Sequence, residues 1–134
     1  MAIYHLSFKL CKRSDGKSSV YLAAYQNRNK IKDNRTGTVW NYSKKEGFDG
    51  SLILAPPQAP GWLVKSSEAL WNEVERTERQ KNGQTARYFD VALPVELDDK
   101  QKKDLLIKYC QDNFVDEGMI ADIAFHDLNS KNPH

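Results

Sequence analysis

The sequence predicts an α+β domain: a largely antiparallel sheet with helices on one face and the other face left open. Three observations carry this. Apolar and polar residues alternate over Ala2–Leu10, Arg87–Leu93 and Ile120–His126, the period of half-buried strands. Helical patterns with capping residues begin at Ser18 or Ser19, at Ser66 or Ser67 and at Asp98. The resulting order is strand, helix, hairpin, strand, helix, strand, helix, strand. The 134 residues suffice for a hydrophobic core and are read as a single domain, 1–134. Apolar residues at 40% and charged residues at 28% exclude a disordered chain. A net charge of +2 neither requires nor excludes nucleic acid. No apolar run approaches the ~20 residues of a membrane span. The opening M-A-I-Y-H-L has no secretory character. Cys11 and Cys110 lie far apart, so a reduced, cytoplasmic protein without membrane insertion is expected.

In the first strand, Tyr4, Leu6, Phe8 and Leu10 form the apolar face, and Ile3, His5, Ser7 and Lys9 the mixed one. The basic turn K-R-S-D-G-K follows. The next pattern, V-Y-L-A-A-Y-Q-N-R-N-K-I, reads as a helix to Ile31 with Tyr21 and Tyr25 on one face and Ala23 and Ala24 allowing close approach. From the helix alone both tyrosines are core residues with wet hydroxyls. The competing reading makes one a nucleophile toward phosphorus. D-N-R-T-G then turns a hairpin between K-I-K and T-V-W-N-Y. Ser51–Leu54 reads as a short buried strand, A-P-P-Q-A-P-G-W as a loop, and Leu70, Trp71 and Val74 as the apolar stripe of the second helix. Arg87–Leu93 places Asp90 in mid-strand, where aspartate is disfavoured. Asp98 and Gln101 form a capping-box pattern on the third helix, which buries Leu105, Leu106, Tyr109, Cys110 and Phe114 and closes at Gly118.

The last stretch, M-I-A-D-I-A-F-H-D-L-N-S-K-N-P-H, holds two of the three histidines. A strand histidine, a polar turn and a returning histidine offer two neutral imidazoles to a divalent ion. His5, Asp90 and His126 share the small-residue faces of their strands and converge if those strands are neighbours. Lys12, Arg13, Lys17, Arg28, Lys30, Lys32, Arg35, Lys44 and Lys45, opposed only by Asp15 and Asp33 through that span and interleaved with Trp40, suit a single-stranded nucleic acid. A solvated basic face is the plain alternative.

On M-A-I-Y-H-L, S-S-V-Y-L-A-A-Y, D-N-R-T-G, L-W-N-E-V-E, V-A-L-P-V-E-L and the closing G-M-I-A-D-I-A-F-H-D-L-N-S-K-N-P-H, the chain resembles the MobA/MobL family of plasmid mobilisation relaxases, within the HUH class of endonucleases. The resemblance implies a relaxase fold whose open face meets single-stranded DNA at a plasmid transfer origin, oriT. It implies a catalytic tyrosine, Tyr25, that forms a 5′-phosphotyrosine link and frees a 3′-hydroxyl. It makes His126 and His134 the first two ligands of a divalent metal, Mg or Mn, and gives Asp90 an orienting or proton-accepting role. Accessory relaxosome proteins and a type IV coupling protein are the further partners it implies. In the family a third histidine follows on a strand that returns into the sheet. Read as it stands to His134, the chain is a partial relaxase domain lacking that ligand and final strand, with metal affinity and nicking expected to be impaired. A non-catalytic fragment binding single-stranded or hairpin DNA and a rolling-circle replication initiator are the alternatives. The Ala-Ala-Tyr helix ahead of the histidines favours the relaxase order over the initiator.

Overall fold

The computed structural model describes residues 8–134. They form two compact units that interleave along the chain: residues 8–46 with 60–89, and residues 47–59 with 90–134. The readings on residues 1–7, including His5 and most of the first strand, lie outside the described residues. Among the described residues every strand pairing is antiparallel, as expected for the α+β class. Among the described residues the strands pair as three two-stranded ladders, not as one continuous sheet.

In the first unit, β1 (Lys9–Lys12) pairs with β5 (Gln84–Tyr88), Leu10 opposite Arg87 and Cys11 opposite Ala86. The strand runs further than expected, into the basic turn. Its buried residue is Cys11, which shares the parity of Lys9, while Phe8 is exposed and meets Phe89 edge-on at 4.8 Å. Cysteine packs as a small hydrophobe, and the register slips immediately after it, so the burial pattern does not follow the simple alternation. A single 3-10 turn, Arg13–Asp15, ends at Gly16, whose φ of 70° is open to glycine at little cost.

α1 (Ser19–Gln26) is capped by Ser18, whose hydroxyl accepts the Val20 N–H at 3.1 Å. It buries Val20, Ala23 and Ala24 with Ile31, and Trp40, Tyr42 and Trp71 pack around them. The helix stops well before Ile31. The Asn27 side chain donates to the Ala23 carbonyl, and Arg28 turns to a φ of 49°, which breaks the helical path. The chain enters the expected hairpin of β2 (Lys30–Lys32) and β3 (Val39–Asn41), with Ile31 inward and opposite Trp40. The proline-rich loop contains a short helix, α2 (Gly61–Val64), because Pro60 presets the entry. α3 (Ser67–Thr77), capped by Ser66, packs its Leu70 side against α1.

In the second unit, β4 (Phe48–Leu54) pairs with β6 (Ala121–His126), Leu52 opposite Ile123. β4 begins earlier than read and is half-buried instead of fully buried, having one partner strand among the described residues. α4 (Asp99–Cys110) opens on the capping box as read: Gln101 N–H donates to Asp98 at 2.8 Å, and Asp98 N–H to Gln101 at 3.0 Å. Its buried side carries Lys102 as well as Leu106 and Cys110. A π-helical turn, Gln111–Val115, brings Val115 inward.

Asp90 stands where the reading from sequence does not hold. β5 ends at Tyr88, so Asp90 lies beyond the strand and is exposed. The alternation nevertheless persists, with Val91 and Leu93 buried and Ala92 exposed. The reason is a different partner: the Leu93 N–H donates to the Pro133 carbonyl at 2.9 Å.

Candidate active site

The first unit gathers an aromatic cluster around Tyr25, on the last turn of α1. Tyr21 stacks on it at 6.5 Å, as the i, i+4 spacing requires, and Tyr42 meets it edge-on at 5.3 Å. Trp40 and Tyr42 also meet Tyr21, at 4.8 and 5.8 Å. A hydrogen bond with Tyr21, then burial, raises the Tyr42 phenol above its ordinary range. Tyr25 itself is 38% exposed, so the ring is fixed while solvent reaches the residue. Arg28 lies 5.0 Å and Lys45 5.3 Å from its ring centre. Arg28 also donates to the carbonyls of Tyr25 and Glu46, at 2.5 and 3.3 Å, which ties the helix end to the loop after β3. A phosphate arriving at this tyrosine therefore meets two cations.

Two buried carboxylates anchor the other end of α1: Glu75, to which the sequence alone gives no role, and Asp33, which it marks only as a turn residue and counter-charge. Glu75, on α3, is 1% exposed. It accepts the Ser19 N–H at 2.9 Å and hydroxyl at 2.7 Å, and it pairs with Arg13 at 3.1 Å. Burial pushes its carboxyl up, but the Ser19 bonds and Arg13 outweigh that and hold it below the usual range. Asp33, in the hairpin turn, accepts the Ser18 hydroxyl at 2.8 Å and the Arg35 N–H at 3.1 Å. The serine pair that begins α1 is thus held by one carboxylate from α3 and one from the hairpin. The only local signal was two adjacent serines, which read equally well as a simple cap.

The expected DNA-contacting cations divide accordingly. Arg13 is turned inward onto Glu75 and the Glu78 carbonyl, so its guanidinium is engaged in the fold. Arg35 is partly exposed, 3.5 Å from Glu75. Lys17, Lys30, Lys32, Lys44 and Lys45 are exposed and Lys12 is half-buried. Lys30 and Lys32 flank the inward Ile31 on the hairpin.

The second unit brings the two histidines together. His126 N–H donates to the His134 carbonyl at 2.7 Å, and His134 N–H to the His126 carbonyl at 3.0 Å. This is a closed antiparallel pair, and it sets the rings 5.3 Å apart between centroids. Backbone hydrogen bonds thus link β4, β6, residues 133–134 and residues 91–93 in that order. His126 is 7% exposed and His134 more open. Nδ1 of His134 lies 2.9 Å from the Asn132 carbonyl. A carbonyl only accepts, so Nδ1 is the donor here, and Nε2 is the nitrogen left to meet an ion when the ring is neutral. Two rings that each place a nitrogen about 2.0–2.1 Å from a shared ion have centroids roughly 5 Å apart. The observed centroid separation of 5.3 Å is close to that spacing. Among the described residues no group of three or more His, Cys, Asp or Glu is disposed to hold a metal.

Residues 17–134 match the model of the MobA/MobL family. The sequence is 36% identical over 143 residues to the conjugal transfer protein TraA of Agrobacterium fabrum, covering all of this chain and 13% of that protein. It is 37% identical over 127 residues to the mobilization protein MobL of Acidithiobacillus ferridurans, covering 94% of this chain and 32% of that one. The probable mobilization protein MobA of Bifidobacterium longum is 32% identical, with all of this chain and 24% of that protein covered. The chain thus spans less than a third of the length of each of these relatives. A solved structure from work on the molecular basis of vancomycin resistance transfer in Staphylococcus aureus superposes with a TM-score of 0.90 at 33% identity, covering 98% of this chain and 66% of that one.

Proposed function

Since the chain belongs to the MobA/MobL family, we propose that it forms the nicking part of a plasmid mobilisation relaxase, acting on single-stranded DNA at a transfer origin. The observation that carries the reading is the His126–His134 pair, closed by its own backbone hydrogen bonds and leaving Nε2 of His134 to meet an ion when the ring is neutral.

Tyr25 supplies the nucleophile. Its phenolic oxygen attacks the scissile phosphorus, the bond from phosphorus to the 3′-oxygen breaks, and a 5′-phosphotyrosine remains. The phenolic proton passes to a base, a role assigned to Asp90, and the departing 3′-oxygen leaves as a hydroxyl after protonation. Arg28 and Lys45 offset phosphate charge beside the Tyr25 ring, and Tyr21 and Tyr42 keep that ring in place. His126 and His134 would hold a divalent metal, Mg or Mn, which supplies Lewis-acid polarisation of the phosphate when bound. Lys17, Lys30, Lys32, Arg35, Lys44 and Lys45, with Trp40, are the proposed contacts to the single strand; half-buried Lys12 and inward-turned Arg13 contribute less. Accessory relaxosome proteins and a coupling protein are the proposed partners, and the cytoplasm the proposed place of work. Among the described residues no helix is long and apolar enough to cross a membrane.

The reading is tested with end-labelled single-stranded oligonucleotides spanning the transfer origin, with Mn2+ and with chelator. Weak site- and strand-specific cleavage is expected, in keeping with two histidine ligands in place of three, and it should need the metal and disappear in Tyr25→Phe and His126→Ala. Salt-dependent binding with no cleavage would replace it with the DNA-binding reading.

A further inference from the structure

We infer that Lys102 and Asp49 are positioning residues that clamp the Leu128 peptide from both sides and so fix the geometry of the His126–His134 pair. The functional meaning of this clamp rests on the proposed reading of that pair as metal ligands; its existence does not.

Residues 127–133 join the two histidines, and most of them are polar and exposed. Such a segment has little of its own to hold a fixed spacing. Leu128, next to the bend, and Pro133, next to His134, are the fully buried exceptions. The Leu128 N–H donates to Oδ2 of Asp49 at 2.8 Å, and its carbonyl accepts from Nζ of Lys102. Both bonds involve a charged side chain, and such bonds are roughly twice as strong as neutral ones. Lys102 is 4% exposed on the core side of α4, a costly place for an amine. Among the described residues no carboxylate forms an ion pair with it, and its amine donates to the Leu128 carbonyl. The neighbouring residue is fixed as well. Asp127 adopts a φ of 52°, and its N–H donates to the Gly47 carbonyl at 2.9 Å. Gly47 itself, at a φ of 91°, sits so close that a Cβ there would lie 2.6 Å from the Asp127 carboxylate. The two residues directly after His126 are therefore held by the start of β4 and by α4 together. Metal ligands tolerate displacements of only about 0.5 Å, so holding this bend is what keeps the returning His134 in register with His126.

The test measures amide hydrogen exchange of the metal-free chain, together with Mn2+ binding by calorimetry, in Lys102→Met, Asp49→Asn and Lys102→Arg. Lys102→Met and Asp49→Asn are expected to lower protection of the His126 and His134 amides about tenfold and to weaken Mn2+ binding about tenfold, the size of effect supporting residues have on metal sites. The amides of Leu52 and Ile123, opposite each other in the β4–β6 ladder, should keep their protection, and Lys102→Arg should restore part of both losses. Unchanged protection at the histidines, or an equal loss at Leu52 and Ile123, overturns the clamp. Should Lys102→Met not fold, the gentler Asp49→Asn decides the question by the same criteria. His126→Ala separates the two ideas: if it binds Mn2+ as the parent does, the metal reading fails while the exchange data still judge the clamp.

Discussion

Replacing Glu75 is the perturbation whose cost the structure defines best. Glu75→Ala removes the acceptor of the Ser19 N–H and hydroxyl and the partner of Arg13, in a site 1% exposed. Breaking a buried ion pair by deleting one partner costs about 3–5 kcal/mol. The Arg13 side chain retains 13% exposure, which gives it some access to water and places the expectation near ~3 kcal/mol, the low end of that range. Glu75→Gln keeps an oxygen for Ser19 but loses the charge opposite Arg13, a change of about 1–2 kcal/mol. With a urea slope of about 1–3 kcal/mol per molar, Glu75→Ala should lower the unfolding midpoint by roughly 1–3 M, read by circular dichroism and tryptophan fluorescence. The pH dependence provides a second reading. The folded carboxyl is held below its ordinary range, so its contribution is complete above the unfolded value, about 4.3, and is lost as the pH falls through the lower folded value. The gap between the parent and Glu75→Gln is therefore largest near neutrality and narrows below about pH 4. A loss under ~1 kcal/mol for Glu75→Ala, or a gap that does not narrow in acid, would refute the reasoning.

Other expectations follow from single contacts. Ser18→Ala loses both the cap on Val20 and the donor to buried Asp33, and should destabilise by at least ~1 kcal/mol in a urea titration. Asp98→Ala dismantles the capping box of α4 at a cost of about 1 kcal/mol in the same measurement. Gly47→Ala places a Cβ 2.6 Å from the Asp127 carboxylate on a backbone at a φ of 91°, and should lower the melting temperature by several degrees, about 1–3 kcal/mol. Lys45→Ala should weaken single-strand binding and flatten its salt dependence by about one phosphate contact, leaving the fold unchanged.

Features that depend on neighbours in the chain were legible from sequence. Ser18, Ser66 and the Asp98–Gln101 box are caps where they were read, because capping uses groups two or three residues away. The D-N-R-T-G hairpin and the stacking of Tyr21 on Tyr25 follow from equally local rules. The end of α1 was harder. Asn27, Arg28 and Asn29 continue a helical pattern acceptably, and only the turn of Arg28 into the left-handed region ends it. Buried charges were not legible at all. Glu75 meets Ser19 at a separation of 56 residues, and Lys102 meets Leu128 at 26. In sequence each lies among the charged residues of a helix, where solvent exposure is the default. The two histidines stood out by residue type and by family resemblance, whereas their mutual backbone pair required the return of the chain through residues 127–133.

The central claim is that Tyr25 carries the covalent chemistry. It is tested most directly by trapping the protein on single-stranded transfer-origin DNA with Mn2+, digesting both components and locating the nucleotide-bearing peptide by mass spectrometry. The account predicts a 5′-phosphate ester on Tyr25, absent when that residue is phenylalanine and when the metal is chelated. An adduct on Tyr21, an adduct that persists in Tyr25→Phe, or DNA bound without any adduct would contradict it.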